Sequence, residues 1–458
     1  MSRHHQLTSW QAELATRFPD FSTPVVAVLA LYSFGVLLAH SCGLASVVLV
    51  LSRHLALDPF AARKRLREFY LDAKDKSGSK HGQKRKHFEV RLAFAPLLRW
   101  ILSLWEGKQL ALAIDVTNFG DRFHVLCVSV LIRGLALPVA WKVLPGGVKD
   151  PWNPHWVTLL DTLKPAVPAD WTVVVASDRG LESPALFAAI VSLGWHPLMR
   201  IKKGGSFRPT GWGRFVPIQT LAGRIGVSFA AQGQAYSGRQ MRCTLLARWE
   251  EGYAEPWLVL TDLPPESARA VWYGLRTWIE QGFKVIKSGG WQWGRTRMED
   301  PARVERLWLV MAVASVWVVA VGVDDEVRET QRRERREVER QMSESVSQAR
   351  AREQAEQKRR QKQQEARDAR RQREEQRRAA KAARLAKSKA VRHPRTGATA
   401  LKRTHRVSVR GLVVLRAAWA RGEYPLPVRL HPEPWPVDNQ PFIPLNEQDF
   451  LAPPNVPL

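Results

Sequence analysis

The sequence predicts an α/β fold: a mixed sheet with helices on both faces, interrupted by a β-rich insertion, preceded by a helical region and followed by a charged segment that is helical or disordered. Three observations carry this reading. Short runs rich in Val, Ile and Leu recur between residues 110 and 202 and alternate with stretches of helical period. Between Gly204 and Pro264 the character changes to brief alternating segments separated by turn signals. After Val323 the composition turns abruptly to Arg, Gln, Glu and Ala. At 458 residues and 45% apolar content, the chain holds material for about three domains and a sizeable core.

Residues 1–20 are expected as a tail and 21–100 as a helical domain. Ser22 or Thr23 followed by Pro24 gives a cap and first turn, and the apolar run then continues to about Ala39, where His40, Ser41, Cys42 and Gly43 break it. A second helix runs from Leu44 to about His54. Asp58 and Pro59 open a third, which carries Arg63, Lys64, Arg65 and Arg67 and leads to Lys74 and Lys76. Short helices, a tight Gly-containing turn and a basic last helix fit a helix-turn-helix DNA reader, and equally a plain three-helix packing module. The polar stretch Ser77 to Lys86 reads as a linker.

The α/β domain is expected over 105–323, with strands at 110–116, 122–131 and 135–143, a helix at 154–163, a strand ending at Asp178, a helix at 183–193, and a strand at 197–202. The β-rich insertion occupies about 204–264. Residues 324–392 form the charged segment, in which apolar residues do not recur at heptad spacing, and 393–458 a Pro-rich tail that lies over the surface or moves freely.

The formal charge of +27 implies a polyanionic partner. Residues 331–390 carry 21 Lys and Arg against 10 Asp and Glu, so +16 remains on the rest of the molecule, which is itself basic. Cys42, Cys127 and Cys243 form no CxxC pair and accompany no His cluster at zinc spacing, which leaves them as inert packing thiols and fits a reducing cytoplasm. The apolar stretches 24–57 and 307–323 are broken or short, so they read as core helices, and neither a membrane partner nor a secretory leader is expected.

Chemistry concentrates in YGLRTWIEQGFKVIKSGG. Tyr273, Arg276, Glu280 and Lys287 stand at successive offsets of three, four and seven, which on one α-helix gathers them into an arc of roughly 60°. Trp272, Leu275, Ile279, Phe283 and Ile286 fall on the adjacent arc as a buried seam. Upstream, Asp115 ends the apolar run LALAIDVTN and Asp178 ends WTVVVASDRG, as expected of buried strands whose ends open on a site.

The spacing Tyr-x2-Arg-x3-Glu-x6-Lys resembles the signature of DDE transposases of the bacterial insertion-sequence type, which are built on a ribonuclease-H-like domain; the resemblance is strong over residues 110–320 and loose over 20–100. It implies the strand and helix order given above, with the insertion in the 102-residue interval from Asp178 to Glu280 rather than the 63-residue interval from Asp115 to Asp178. It further implies that Asp115, Asp178 and Glu280 are catalytic and hold two magnesium ions, for which manganese can substitute, with Asp115 bridging both. Tyr273, Arg276 and Lys287 would grip phosphates near an element's end, and Arg179, Arg200 and Lys202 would touch the DNA backbone, as would Arg63, Lys64, Arg65 and Arg67. Among the 19 tryptophans, Trp212, Trp249, Trp291 and Trp293 lie where one could stack on an unpaired base, although core packing is the ordinary role. The expected activity is cleavage at element ends and strand transfer into target double-stranded DNA, by a homodimer, in a bacterial cytoplasm. A stand-alone nuclease of the same fold and a DNA-binding relic are the alternatives; acids at all three positions speak against the relic.

Overall fold

The computed structural model describes residues 3–76, 88–147, 151–222, 225–226, 228–376 and 406–437. The expected linker at 77–86, and the parts of the charged segment and Pro-rich tail at 377–405 and 438–458, lie outside them. The chain divides into two compact units, Met1–Asp325 with His405–Leu458, and Glu326–Thr404.

The first unit opens with four helices, α1 (Arg3–Arg17), α2 (Thr23–Ala39), α3 (Leu44–Leu55) and α4 (Pro59–Tyr70). Helix α1 falls in the stretch expected as a tail. It forms because Leu7, Trp10, Leu14 and Phe18 recur at helical spacing and share one face, with Trp10 stacked 3.9 Å from Trp317 between ring centroids. Helix α2 has Pro24 in its first turn and stops where His40 adopts a left-handed conformation at φ 52°. Asp58 caps α4, its carboxylate accepting from the Ala61 amide at 2.7 Å. Leu66 and Phe69 of α4 point inward, which leaves Arg63, Lys64, Arg65 and Arg67 exposed.

After α5 (Phe94–Ser103) the chain builds a ten-stranded sheet. Its strands are β1 (Gln109–Phe119), β2 (Phe123–Ile132), β3 (Leu135–Pro145), β4 (Thr172–Ser177), β5 (His196–Arg200), β6 (Ser206–Pro209), β7 (Val216–Pro217), β8 (Ser228–Ala235), β9 (Met241–Arg248) and β10 (Trp257–Thr261). They lie in the order β3-β2-β1-β4-β5-β10-β9-β8-β6-β7. Strands β1, β4 and β5 run parallel and every other pairing is antiparallel. Helix α6 (Asn153–Leu163) makes the crossover from β3 to β4, and α7 (Pro184–Ser192) that from β4 to β5. Consecutive residues of β1, β2 and β4 are buried, so this part of the sheet is covered on both faces. The β-rich insertion continues the same sheet, because β10 pairs antiparallel with β5 through Leu260 and Met199.

The helical stretch after the insertion changes pitch twice. A tight 3-10 segment (Ala270–Thr277) passes into α8 (Trp278–Lys284) and then into one wide turn, Val285–Gly289, where the Trp291 amide reaches back to the Val285 carbonyl. The single regular α-helix expected here is therefore replaced by three helical pitches in continuous sequence. Helix α8 rests on β3 through Gly282: a Cβ there would meet the Ala136 carbonyl oxygen at 2.6 Å.

Helix α9 (Pro301–Gln376) opens with the long apolar stretch 307–323. It is the one described helix long and apolar enough to cross a membrane, and 94% of that apolar window is buried in the protein. The stretch expected as a Pro-rich tail contains α10 (Val407–Ala420), which crosses α9 with Gly411 against Gly322. In the second unit the helix is described as far as Gln376; over residues 331–362 it is solvent-exposed and laced with pairs such as Arg340 to Glu337 at 2.6 Å and Arg360 to Glu356 at 2.9 Å. All three cysteines are buried and free. Trp291 and Trp293 are 2% and 0% exposed, which corrects their candidacy as base-stacking surfaces; Trp212 and Trp249 are half-buried.

Candidate active site

Parallel pairing of β1 with β4 brings Ile114 opposite Ser177, so the next residues in register, Asp115 and Asp178, stand side by side where the strands open. Local backbone donors orient both carboxylates. Asp115 Oδ1 accepts from the Val116 amide at 2.8 Å, and Asp178 Oδ1 from the Arg179 amide at 2.8 Å. The Ser177 hydroxyl beside them is buried and has no hydrogen-bond partner among the described residues.

The 3-10 segment lays Arg276 across both acids. Its Nη2 lies 2.7 Å from Asp115 Oδ2 and 3.6 Å from Asp178 Oδ2. Burial pushes the Asp115 carboxyl above its usual range; the Arg276 charge and the Val116 amide oppose that, while the charges of Asp178 and Glu280 add to it. Glu280, one turn beyond Arg276, is exposed and close enough for its charge to bear on Asp115. The three predicted acids thus converge on one region. They do not close into a cage: among the described residues no group of three or more His, Cys, Asp or Glu side chains is disposed to hold a metal ion.

The predicted phosphate contacts divide. Tyr273 is buried, with its ring edge-on to Trp257 at 5.7 Å, and burial pushes its hydroxyl up to about 12; as it stands the phenol faces core rather than solvent, which corrects the expected phosphate contact. Arg276 is taken up by the two aspartates. Lys287 Nζ donates to the Asn118 carbonyl at 2.7 Å, and burial lowers its pKa. Arg179 pairs with Glu255 at 2.8 Å. The Arg200 guanidinium lies 5.9 Å from the centre of the Tyr273 ring, and Lys202 is exposed. Arg63, Lys64, Arg65 and Arg67 stand together on the outer face of α4.

Two residues escaped sequence reasoning. Asn118, three positions after Asp115 on β1, anchors Lys287 through its carbonyl; its place in the run LALAIDVTN was the only signal. Arg122 fixes the loop after the segment that carries Glu280, donating to the Thr296 carbonyl at 2.9 Å and the Met298 carbonyl at 3.0 Å while its guanidinium covers the Phe119 ring at 4.3 Å. A lone arginine at a hairpin turn carries no sequence signal of such a role.

The donor chemistry fits a divalent cation. Asp115, Asp178 and Glu280 offer hard carboxylate oxygens without competing nitrogen or sulfur, and between the two aspartates the structure already seats a positive charge, that of Arg276.

A family model described as Transposase DDE domain matches residues 118–317, a span that includes Asp178 and Glu280 and begins three residues after Asp115. Among solved structures the chain is similar to a piggyBac transposase synaptic complex with hairpin DNA, at 12% identity over 68% of this chain and 78% of that one, with a TM-score of 0.28. It is also similar to human ENDOV, at 13% identity over 50% of this chain and 90% of that one, with a TM-score of 0.21. No curated protein matches the chain.

Proposed function

We propose that this chain, which carries a transposase DDE domain over residues 118–317, cleaves DNA at the ends of an insertion sequence and joins the freed ends to target double-stranded DNA. One observation supports this above the others: Asp115 and Asp178 abut at the ends of adjacent parallel strands, with Arg276 and Glu280 presented over them from one helical segment. The order β3-β2-β1-β4-β5 with only β2 reversed within it supports the reading of a ribonuclease-H-like core, with the strands after β5 as its insertion.

Asp115, Asp178 and Glu280 would hold two magnesium ions, or manganese in their place, which when bound activate a hydroxyl nucleophile and relieve charge on the phosphoryl group. The chain's own residues supply the rest. Arg276, once released from Asp115, presents forked donors at the height of the acids and can donate to two oxygens of a phosphate in parallel bonds. Lys287 adds a second positive charge beside the end of β1. The basic face of α4 offers charge for holding duplex at a distance from the cut, as a DNA-binding helical region would. Assembly as a homodimer, in a bacterial cytoplasm, follows by resemblance to the insertion-sequence enzymes.

The test is cleavage of duplex carrying the element's end. Asp115→Asn, Asp178→Asn and Glu280→Gln should each lose magnesium-dependent cutting while keeping DNA affinity. Cutting at the unmodified rate by any of the three would overturn the site. A pre-cut end offered with target plasmid separates a transposase, which joins it, from a nuclease, which does not.

A further inference from the structure

Outside the carboxylate site a cleft of about 880 Å³ lies between the start of α3, the end of α4 and the loop 292–300. We propose that this cleft is a binding groove for one strand of a DNA phosphate backbone, with Arg67, Arg295 and Arg297 as its phosphate contacts and Arg122 as the residue that positions it. The proposal rests on the reading of the chain as a DNA-handling enzyme and extends it to Arg295 and Arg297, which have been given no role so far.

Four arginines line the cleft, and they are not equivalent. Arg303 is neutralised by Asp75 at 2.8 Å and Asp300 at 3.7 Å. Asp300 is further committed as a helix cap, accepting from the Arg303 amide at 3.1 Å. Arg67, Arg295 and Arg297 are exposed and make no ion pair among the described residues. Glu299 is the one lining acid without such a commitment, so the wall facing solvent keeps an uncompensated positive charge. Three guanidinium groups with no carboxylate partner, spread along one rim, suit a repeating anion better than a single small one.

The loop is rigidly placed for such a task. Arg122 ties the carbonyls of Thr296 and Met298 to the β1–β2 turn, so the side chains of Arg295 and Arg297 are held on an anchored backbone. Trp293 packs 4.6 Å from Phe119, four residues along β1 from Asp115. The loop begins five residues after Lys287. At the other end the cleft shares Arg67 and Leu71 with a second depression lined by Arg63 and Lys64. Basic side chains therefore extend from the loop 292–300 through Arg67 to Arg63 and Lys64 of α4.

The experiment is duplex binding by the full-length chain, followed by fluorescence anisotropy over a salt series. Each phosphate contact contributes about 0.9 to the slope of log affinity against log salt, so the triple variant Arg67→Ala, Arg295→Ala, Arg297→Ala should lose about two to three from that slope. Arg53→Ala, Arg99→Ala, Arg214→Ala removes the same charge from exposed positions elsewhere and should lose less than about one. Equal slopes for the two triples would overturn the cleft. Lysine at 67, 295 and 297 keeps the charges and should restore the slope; failure to restore it would mark a folding defect and also count against the proposal. Polyglutamate that displaces duplex as well as unlabelled DNA of equal charge would overturn the assignment to nucleic acid. Failure here is separable from failure of the enzymatic reading: an unchanged slope with intact magnesium-dependent cutting removes only the cleft, whereas a reduced slope with no cutting by the unmodified chain supports the cleft and removes the cutting.

Discussion

Arg276 Nη2 stands 2.7 Å from Asp115 Oδ2, and with the side chains only 11% and 19% exposed this ion pair is largely shielded from water. Such a pair contributes little relative to an apolar isostere but is costly to break from one side, because the remaining charge is left buried. Arg276→Ala should lower stability by about 3 kcal/mol in metal-free urea unfolding. Magnesium should recover part of that loss, since a cation would again face the two aspartates. A variant as stable as the unmodified chain without metal would show that Arg276 does not hold the acids together.

Stability should also carry the mark of Asp115 in its pH dependence. Burial holds this carboxyl above its ordinary range, so the folded chain keeps the proton to higher pH than the unfolded chain does. Stability from this group is therefore greatest below the ordinary carboxylate pKa and declines as pH rises through the interval up to the raised value. Asp115→Asn removes that decline. Urea midpoints from about pH 4 to 7 measure it, and an equally steep fall in the variant would refute the role of burial at this residue.

Divalent cations should stabilise the unmodified protein before any DNA is present. A ligand held only by the folded state adds about 2.7 kcal/mol at a hundred times its Kd. The melting temperature should rise with magnesium, and the rise should vanish in the Asp115→Asn, Asp178→Asn double variant. A shift that survives the double variant would place the ion elsewhere.

The strands and both aspartates were legible in the sequence because each is a local event: an apolar run, then an acid where the run stops. Asp178 after VVVAS and Asp115 after LALAI needed no knowledge of partners. The pairing of β10 with β5, which makes the insertion an extension of the sheet, depends on residues about 60 apart meeting edge to edge, and local period does not encode that. Nor does it encode the pitch of the segment that carries Arg276 and Glu280, set by the contact of Gly282 with β3 and by the turn at Gly290. Helices α1 and α10 are different. Their stripes, Leu7-Trp10-Leu14 and Val407-Gly411-Leu415-Ala418, are present in the sequence but lie beside charge-rich and Pro-rich stretches that masked them.

Gly282 makes the catalytic segment sensitive to a single methyl group. Its missing Cβ leaves room for the Ala136 carbonyl, which a side chain would meet at 2.6 Å, and the Ala136 Cβ, which it would meet at 3.0 Å. Both neighbours belong to β3, which is buried and hydrogen-bonded to β2 along its length, and cannot retreat cheaply. Gly282→Ala should therefore lift α8 from β3 and shift Glu280 relative to Asp115. Although alanine favours helix by about 1 kcal/mol over glycine, the clash should dominate, giving net destabilisation and reduced cutting. A stabilised, fully active variant would show that the segment is not seated through this contact.

Helix α10 crosses α9 at a close approach of the two backbones. A Cβ on Gly411 would meet the Val318 carbonyl oxygen at 1.8 Å, and one on Gly322 would meet the Val407 carbonyl oxygen at 1.9 Å, so each glycine admits the backbone of the other helix. Around this crossing Trp317 donates to the Pro425 carbonyl at 2.8 Å, Trp419 lies 5.5 Å from Phe34 between ring centroids, and Arg410 pairs with Asp325 at 2.9 Å. The C-terminal segment is thereby tied to α2 and to the apolar half of α9, far along the chain from the carboxylates. Gly411→Val should push the helices apart and cost about 2 kcal/mol or more in urea unfolding, while DNA cutting at low temperature persists in the fraction that remains folded. Unchanged stability would mean that α10 does not dock through its glycine, and loss of cutting from a fully folded variant would mean that the docking reaches the active site.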